Sequence, residues 1–231
     1  MLLDIDKSWN PILHYLYEEP LLTLKDKILP SISFQPKAEN IFRIYRIPVN
    51  NIKVVILGQD PYPTPTTGIG RAFAVSEETK IPVSLRNIRK EIEAESIKIT
   101  LLEDEWKTLE HWERQGIFLL NTALTIETGI KASHISYWKD FIIATIRHIS
   151  YFNPCIWLLW GNYAQSFSSY ILNRFFVKQE DVPIKDKTNY ILTAAHPAAE
   201  AYKTNAGFFG CDHFRIVNEI VKKKNQLVIN F

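Results

Sequence analysis

The sequence predicts an α/β fold: a three-layer α/β/α domain around a central four-stranded parallel sheet. Four short apolar runs, 52–57, 117–120, 155–160 and 190–193, are continuous rather than alternating. That is the pattern of strands covered on both faces. Helical periods occupy 84–95, 104–115, 137–150, 163–175 and 212–224. Strands alternating with helices of this length imply crossover connections and a parallel sheet. Pro20 and Pro30 bracket another short helix in an N-terminal section, residues 1–50, that reads as mostly helical. No repeat, low-complexity stretch or Gly/Ser- or Pro-rich linker divides the chain, so residues 1–231 read as one domain.

Composition narrows the class. A chain of 231 residues, 46% hydrophobic and 23% charged, can bury a full core, which excludes disordered and collagen-like structure. The longest uncharged stretch, 154–173, contains Gly161, Asn162, Gln165 and three serines and lacks the apolar character of a membrane span. The first ten residues carry acids and a tryptophan where a secretory signal has a basic start and an apolar run. The expected location is therefore cytoplasmic, or nuclear in a eukaryotic source, and not secreted. Two cysteines, Cys155 and Cys211, are too few for a disulfide framework or a four-thiolate centre. A net charge of +2 permits a polyanion partner only through a local surface. Aromatic residues make up 13% of the chain; core burial is their commonest fate, and stacking on bases is the alternative.

In open α/β sheets, ligands bind outside the carboxyl ends of the strands. Those ends carry Gly58-Gln59-Asp60-Pro61-Tyr62-Pro63, Asn121, Gly161-Asn162 and Ala195-His196-Pro197. Singly, Asp60 reads as a cap, Asn121 as an Asx-turn residue and His196 as a loop histidine. Converging on one rim, they point to chemistry. Asp60, His196 and His134 lack metal-ligand spacing, and no metal or other cofactor is expected. There is no G-x-S-x-G turn, no Walker loop and no GxGxxG run; Gly68-Ile69-Gly70 stands alone, with Phe73 at the third glycine position. A carboxylate with a neutral imidazole suits cleavage of a glycosidic bond, whose transition state is positive on the sugar and negative on the leaving group.

The segments VVILGQDPYP (54–63), FLLNTALT (118–125), LLWGNYAQ (158–165) and AHPAAEAYKTNAGFFGCDHF (195–214) resemble, in order, the motifs of the family 1 uracil-DNA glycosylases. The likeness runs from about Trp9 to the last helix. It implies a metal-independent DNA-repair enzyme that flips deoxyuridine from single- or double-stranded DNA, hydrolyses the N-glycosidic bond and leaves an abasic site for base excision repair. It further implies that Asp60 orients the water and supports the cationic sugar. Neutral His196 donates to the uracil 2-oxo group, joined by the backbone N–H groups of Gln59 and Asp60. Phe73 stacks on the base, Asn121 reads its edge, and Tyr62 faces the 5 position that thymine methylates. DNA contacts fall on Pro82 and Ser84, on Gly161 and Asn162, and on the loop with Ala198, Glu200, Tyr202 and Lys203. Partners implied are DNA, and a proteinaceous glycosylase inhibitor or replication factor, around a monomer that does not bind membranes.

Three features depart from the family. Pro63 replaces the histidine usual after Asp-Pro-Tyr. Ala198-Ala199-Glu200 replaces Ser-Pro-Leu, whose leucine wedges into the duplex. Two extra residues lie between His196 and Gly207. Pro63 and the His-Pro-Ala-Ala string are reminiscent of poxvirus members, which also serve as polymerase processivity subunits. The alternative function is therefore a glycosylase-like DNA-binding or processivity scaffold with secondary or lost catalysis. By gapless counting Glu200 takes the wedge position; with the extra residues, Tyr202 does.

Overall fold

The structure, a computed structural model, describes residues 4–15, 33–95, 97, 102–177, 184–185 and 187–231. In chain order its elements are β1 (Phe34–Gln35), β2 (Val54–Gly58), α1 (Val83–Ala94), α2 (Glu103–Thr108), α3 (Glu110–Arg114), β3 (Ile117–Asn121), β4 (Ile126–Glu127), α4 (Ile135–Phe152), β5 (Ile156–Trp160), α5 (Asn162–Ser166), β6 (Arg174–Phe176), β7 (Asn189–Ala194) and α6 (His213–Lys223). The helix expected between Pro20 and Pro30 lies outside the described residues. The rest of the described N-terminal section is mainly short 3-10 turns, at Lys7–Ile12, Ala38–Asn40, Arg43–Arg46 and Val49–Asn51, plus strand β1.

The central sheet has the order β3-β2-β5-β7-β6, and every neighbouring pair is parallel. It has five strands, one more than expected. The expected helix 163–175 gives way after α5 to a 3-10 turn, Phe167–Tyr170, and then to β6. Asn173 takes a left-handed φ of 44°, which ends the helical path and turns Arg174–Phe176 onto the edge of β7. The buried amide of Asn189 holds that corner. It accepts from Cys155 N and Trp157 Nε1 and donates to the carbonyls of Ser150 and Leu172, so none of its hydrogen-bonding capacity is stranded in the core.

Every residue of β2, β3 and β5 is buried, as the continuous apolar runs require. Helix α4 buries Trp138, Phe141, Ile142, Thr145, Ile146 and Ile149, a stripe at the 3.6-residue period. The expected helix 104–115 is broken in two at Leu109, whose φ of 49° is left-handed. The break lets Trp106, Leu109 and Trp112 all enter the core, the two indoles edge-on at 5.6 Å. All six tryptophans are buried, so the aromatic content is mainly core. No helix among the described residues is long and apolar enough to cross a membrane.

Candidate active site

The strands of a parallel sheet all deliver their carboxyl ends to one edge, and a cavity of about 340 Å³ opens there. Gln59, Asp60, Tyr62, Phe73, Asn121 and His196 all line it, together with Pro82, Ser84 and Ala198. Gly161, Asn162, Glu200, Tyr202 and Lys203 lie outside that lining.

Asn121 ends β3 and is 7% exposed, and its side-chain amide makes no hydrogen bond among the described residues. It fits because its neighbour on β2 is Gly58: a Cβ there would fall 2.3 Å from the Asn121 Oδ1. Asp60 follows on the turn after β2. Its Oδ2 accepts from the Ala132 N–H at 2.6 Å. Burial pushes its carboxyl pKa above the ordinary value, against the opposing pull of that N–H and of the Lys131 charge. The Gln59 and Asp60 N–H groups have no acceptor among the described residues.

Tyr62 is fixed through its hydroxyl, 3.0 Å from Ser84 Oγ and 3.4 Å from the Phe73 carbonyl. Ser84 is itself buried to 7% exposure at the cavity edge, and its hydroxyl orients Tyr62. Phe73 sits at a left-handed φ of 65°, a strained position for a side chain of this size. Its ring lies edge-on to Trp160 at 5.6 Å and 5.9 Å from the His196 ring. Behind it, Trp160 Nε1 donates to His213 Nδ1 at 3.0 Å, which fixes the rear wall.

His196 follows β7. Its Nδ1 lies 3.1 Å from the Ala198 N–H, a group that can only donate, so Nδ1 carries no proton and the neutral ring bears it on Nε2. Burial against its neighbours holds the imidazole pKa below the ordinary value, which keeps it neutral at pH 7. A Cβ at Gly161, whose φ is +86°, would approach the His196 Cβ to 3.0 Å, so glycine makes room for the imidazole. Asn87 of α1 donates to the Pro197 carbonyl at 2.8 Å and ties down the same turn.

Glu200, expected among the DNA contacts, turns inward. Its carboxylate accepts from the N–H groups of Ala206, Gly207, Phe208 and Phe209 at 2.7 to 3.2 Å. Partial desolvation works against the charge, but the four N–H groups outweigh it and lower the pKa. Glu200 thus folds its own loop. Tyr202, by contrast, is 85% exposed, and Lys203 is exposed beside it.

No sequence pattern points to Asn87, whose partner lies 110 residues away, or to the loop at Ala132 that reaches Asp60. His134, weighed as a ligand, is a core residue: Trp138 donates to Thr125 Oγ1, whose hydroxyl then faces His134 Nδ1 at 3.0 Å. Among the described residues, Glu91, Glu95 and Cys211 bring ligand-type atoms within 4.8 Å of one another. Their two carboxylates already accept from the N–H groups of Gly210, Asp212, Phe214 and Arg215 and anchor the start of α6.

Comparison with known proteins agrees with this geometry. Residues 45–222 match the model of the uracil DNA glycosylase superfamily. The chain is 33% identical over 235 residues to a uracil-DNA glycosylase of Campylobacter jejuni, covering 98% of this chain and 94% of that protein. It is 39% identical over 212 residues to one of Buchnera aphidicola, covering 90% and 88%. Among solved structures it is similar to a single-residue variant of the mimivirus enzyme in complex with UGI, with a TM-score of 0.82 and 25% identity over 99% of this chain and 89% of that one. By motif order, fold and pocket, the chain belongs to the uracil-DNA glycosylase superfamily, the DNA-repair hydrolases of N-glycosyl bonds.

Proposed function

We propose that the chain is a family 1 uracil-DNA glycosylase that releases free uracil from single- and double-stranded DNA without a metal, acting in the cytoplasm or, in a eukaryotic source, the nucleus. The observation that carries this reading is the fixed tautomer of His196 in the same cavity as Asp60. As the C1′–N1 bond lengthens, negative charge collects on the uracil 2-oxo group. The His196 Nε2–H and the Gln59 and Asp60 N–H groups are donors for it. The Asp60 carboxylate stabilises the cationic sugar and orients the water that adds to C1′, and the Ala132 N–H holds that carboxylate in place.

Flipping the base costs a few kcal/mol, and stacking on an aromatic ring such as Phe73 returns roughly 1–3 kcal/mol. The free amide of Asn121 can donate to the uracil 4-oxo group while accepting from the imide N–H. Cytosine presents the reversed pattern and would leave both groups unpaired. Tyr62, locked by Ser84, closes the side where a thymine methyl would enter.

The poxvirus-like variants Pro63 and His-Pro-Ala-Ala leave this pocket whole, which favours an enzyme over a scaffold. A proteinaceous inhibitor is a fitting partner, since the mimivirus neighbour was solved with UGI. The exposed Tyr202 is the residue suited to wedge into a duplex; Glu200, tied to its own loop, is not.

The test is strand cleavage by alkali after incubation with an oligonucleotide holding one uracil. Uracil release should persist in chelator, and Asn121→Asp should raise release of cytosine relative to uracil. Activity abolished by chelator and restored by a divalent ion overturns the reading, and an unchanged product ratio in Asn121→Asp overturns the pocket map.

A further inference from the structure

Besides His196, the cavity wall carries two basic side chains, Arg71 and Lys131. Arg71 is 3% exposed, and its guanidinium is paired with Glu113 and directed to the Thr108 carbonyl, so it is committed to the interior. Lys131 is exposed and makes no salt bridge or side-chain hydrogen bond among the described residues. Its charge is nonetheless felt by Asp60.

The loop that presents Lys131 is anchored at many points. Strand β4 pairs with β1, and Thr128 N–H donates to the Ser33 carbonyl at 2.9 Å. Gly129 N–H donates to the Pro63 carbonyl at 2.9 Å, and Glu127 N–H to Ser133 Oγ at 2.8 Å. Ala132 takes a left-handed φ of 62°, unusual for a residue with a side chain, and turns its N–H onto Asp60. Backbone strain at the edge of a site persists only where the surroundings over-determine it. The backbone beside Lys131 is thereby fixed to the Asp60 carboxylate, while the ammonium stays free in solvent.

A nucleotide whose C1′ lies against Asp60 brings its own flanking phosphates to the cavity mouth. Phosphate contacts supply most of the affinity of such proteins for DNA and fix register. With Arg71 committed to Glu113, Lys131 is, among the described residues, the one lysine or arginine lining the cavity that is left to offer such a phosphate a positive charge. An ammonium on a flexible stem suits a phosphate oxygen as a point charge. We propose that Lys131 is the phosphate clamp of the flipped nucleotide, binding a phosphate oxygen next to the sugar whose base occupies the pocket. This rests on the glycosylase reading above.

The experiment compares the full chain with Lys131→Ala and Lys131→Arg on a single-stranded uracil oligonucleotide over about 50 to 200 mM salt. Lys131→Ala should raise KM on the order of tenfold at low salt with kcat nearly unchanged. The slope of log KM against log salt should fall by about 1. Lys131→Arg should restore most of both, and inhibition by free uracil, which has no phosphate, should be the same in all three proteins. An unchanged KM and salt slope in Lys131→Ala overturns the proposal. So does a loss confined to kcat, or uracil inhibition that weakens in step, since either assigns the lysine to holding Asp60. If the unsubstituted protein releases no uracil, the glycosylase reading fails instead, a separate and earlier result.

Discussion

In the cavity at the strand ends, the candidate site residues Asn121, Asp60 and His196 leave the end of a buried strand or the turn next to it. Asn121 ends β3, Asp60 lies two residues after β2, and His196 two after β7. In the segment after His196, a 3-10 turn over Pro197–Ala201 leads into an exposed stretch, and no strand sets which way a side chain faces. Side-chain direction in the first region follows from strand position. In the second it follows from which backbone N–H groups need an acceptor, and Glu200 meets that need for four of them. A polar residue near a cavity is therefore a candidate contact in the first region and a candidate scaffold in the second.

The largest expected effects fall on the pocket. On the proposed roles, Asp60→Asn and His196→Leu each remove one side of the transition-state charge stabilisation, and each should lower kcat by about 100 to 1,000-fold. Circular dichroism and the urea midpoint should change little, because both groups face a cavity rather than the core. Since burial raises the Asp60 pKa, the acid limb of the unsubstituted enzyme should be displaced upward from the position an ordinary aspartate would give it. Rate should rise with pH as Asp60 ionises and then level off with His196 neutral. A saturating rate near the unsubstituted value in either variant would show that the strand-end logic misassigns the site.

The loop should respond more weakly and more selectively. Tyr202→Ala removes an exposed ring whose insertion or stacking amounts to roughly 1–3 kcal/mol, or about 5 to 150-fold. The loss should appear on paired uracil and be small on single strands, where no partner strand has to be separated. Glu200→Leu sharpens the comparison. Were position 200 an empty wedge site, leucine would speed removal of paired uracil. With Glu200 holding four N–H groups, leucine should slow it on both substrates. Rates on paired and single-stranded uracil measured side by side separate these outcomes, and a faster Glu200→Leu would return the wedge to position 200.

The same division explains what is legible in the sequence. Four sheet strands are readable from continuous apolar runs, and the pocket from the polar residues at their carboxyl ends. The fifth, β6, is not, because Arg174–Phe176 is an exposed edge strand with no such run, placed by the left-handed Asn173 and by Asn189. The break at Leu109 is hidden because 104–115 has a helical apolar period on both sides of it. In the site, Asn87 and Ala132 carry no local signal, because one acts on a carbonyl 110 residues away and the other through its backbone N–H alone. Glu200 is visible as an anomaly, an acid in a loop that the family resemblance turns toward DNA, but its role in the structure lies in hydrogen bonds that no spacing encodes.

The smallest expected effect concerns how the loop region is fastened to the domain. Glu95, just past the end of α1, accepts from the N–H groups of Phe214 and Arg215 at the start of α6. Burial dominates and raises its pKa to about 7, against 4.5 for an ordinary glutamate. The folded state thus holds this proton more tightly than the unfolded one. Its contribution to stability is greatest below about pH 4.5, declines as pH rises toward 7 and is constant above. His111 and His213, each held at about 4 by burial against an ordinary 6.5, act in the opposite sense. Their contribution is complete above pH 6.5 and is lost as pH falls toward 4. Between these limits the two histidine slopes outweigh the single glutamate slope, so the unsubstituted protein should gain stability as pH rises from about 4.5 to 6.5, less steeply than the histidines alone would give. Glu95→Gln leaves an amide oxygen that still accepts from one N–H and removes only the glutamate slope. The variant's Tm relative to the unsubstituted protein should therefore climb by a few degrees from pH 5 to pH 7.5, given roughly 2–4 °C per kcal/mol in a domain of this length. A constant offset between the two proteins across that range would mean that Glu95 is ionised throughout and fastens α6 as a carboxylate.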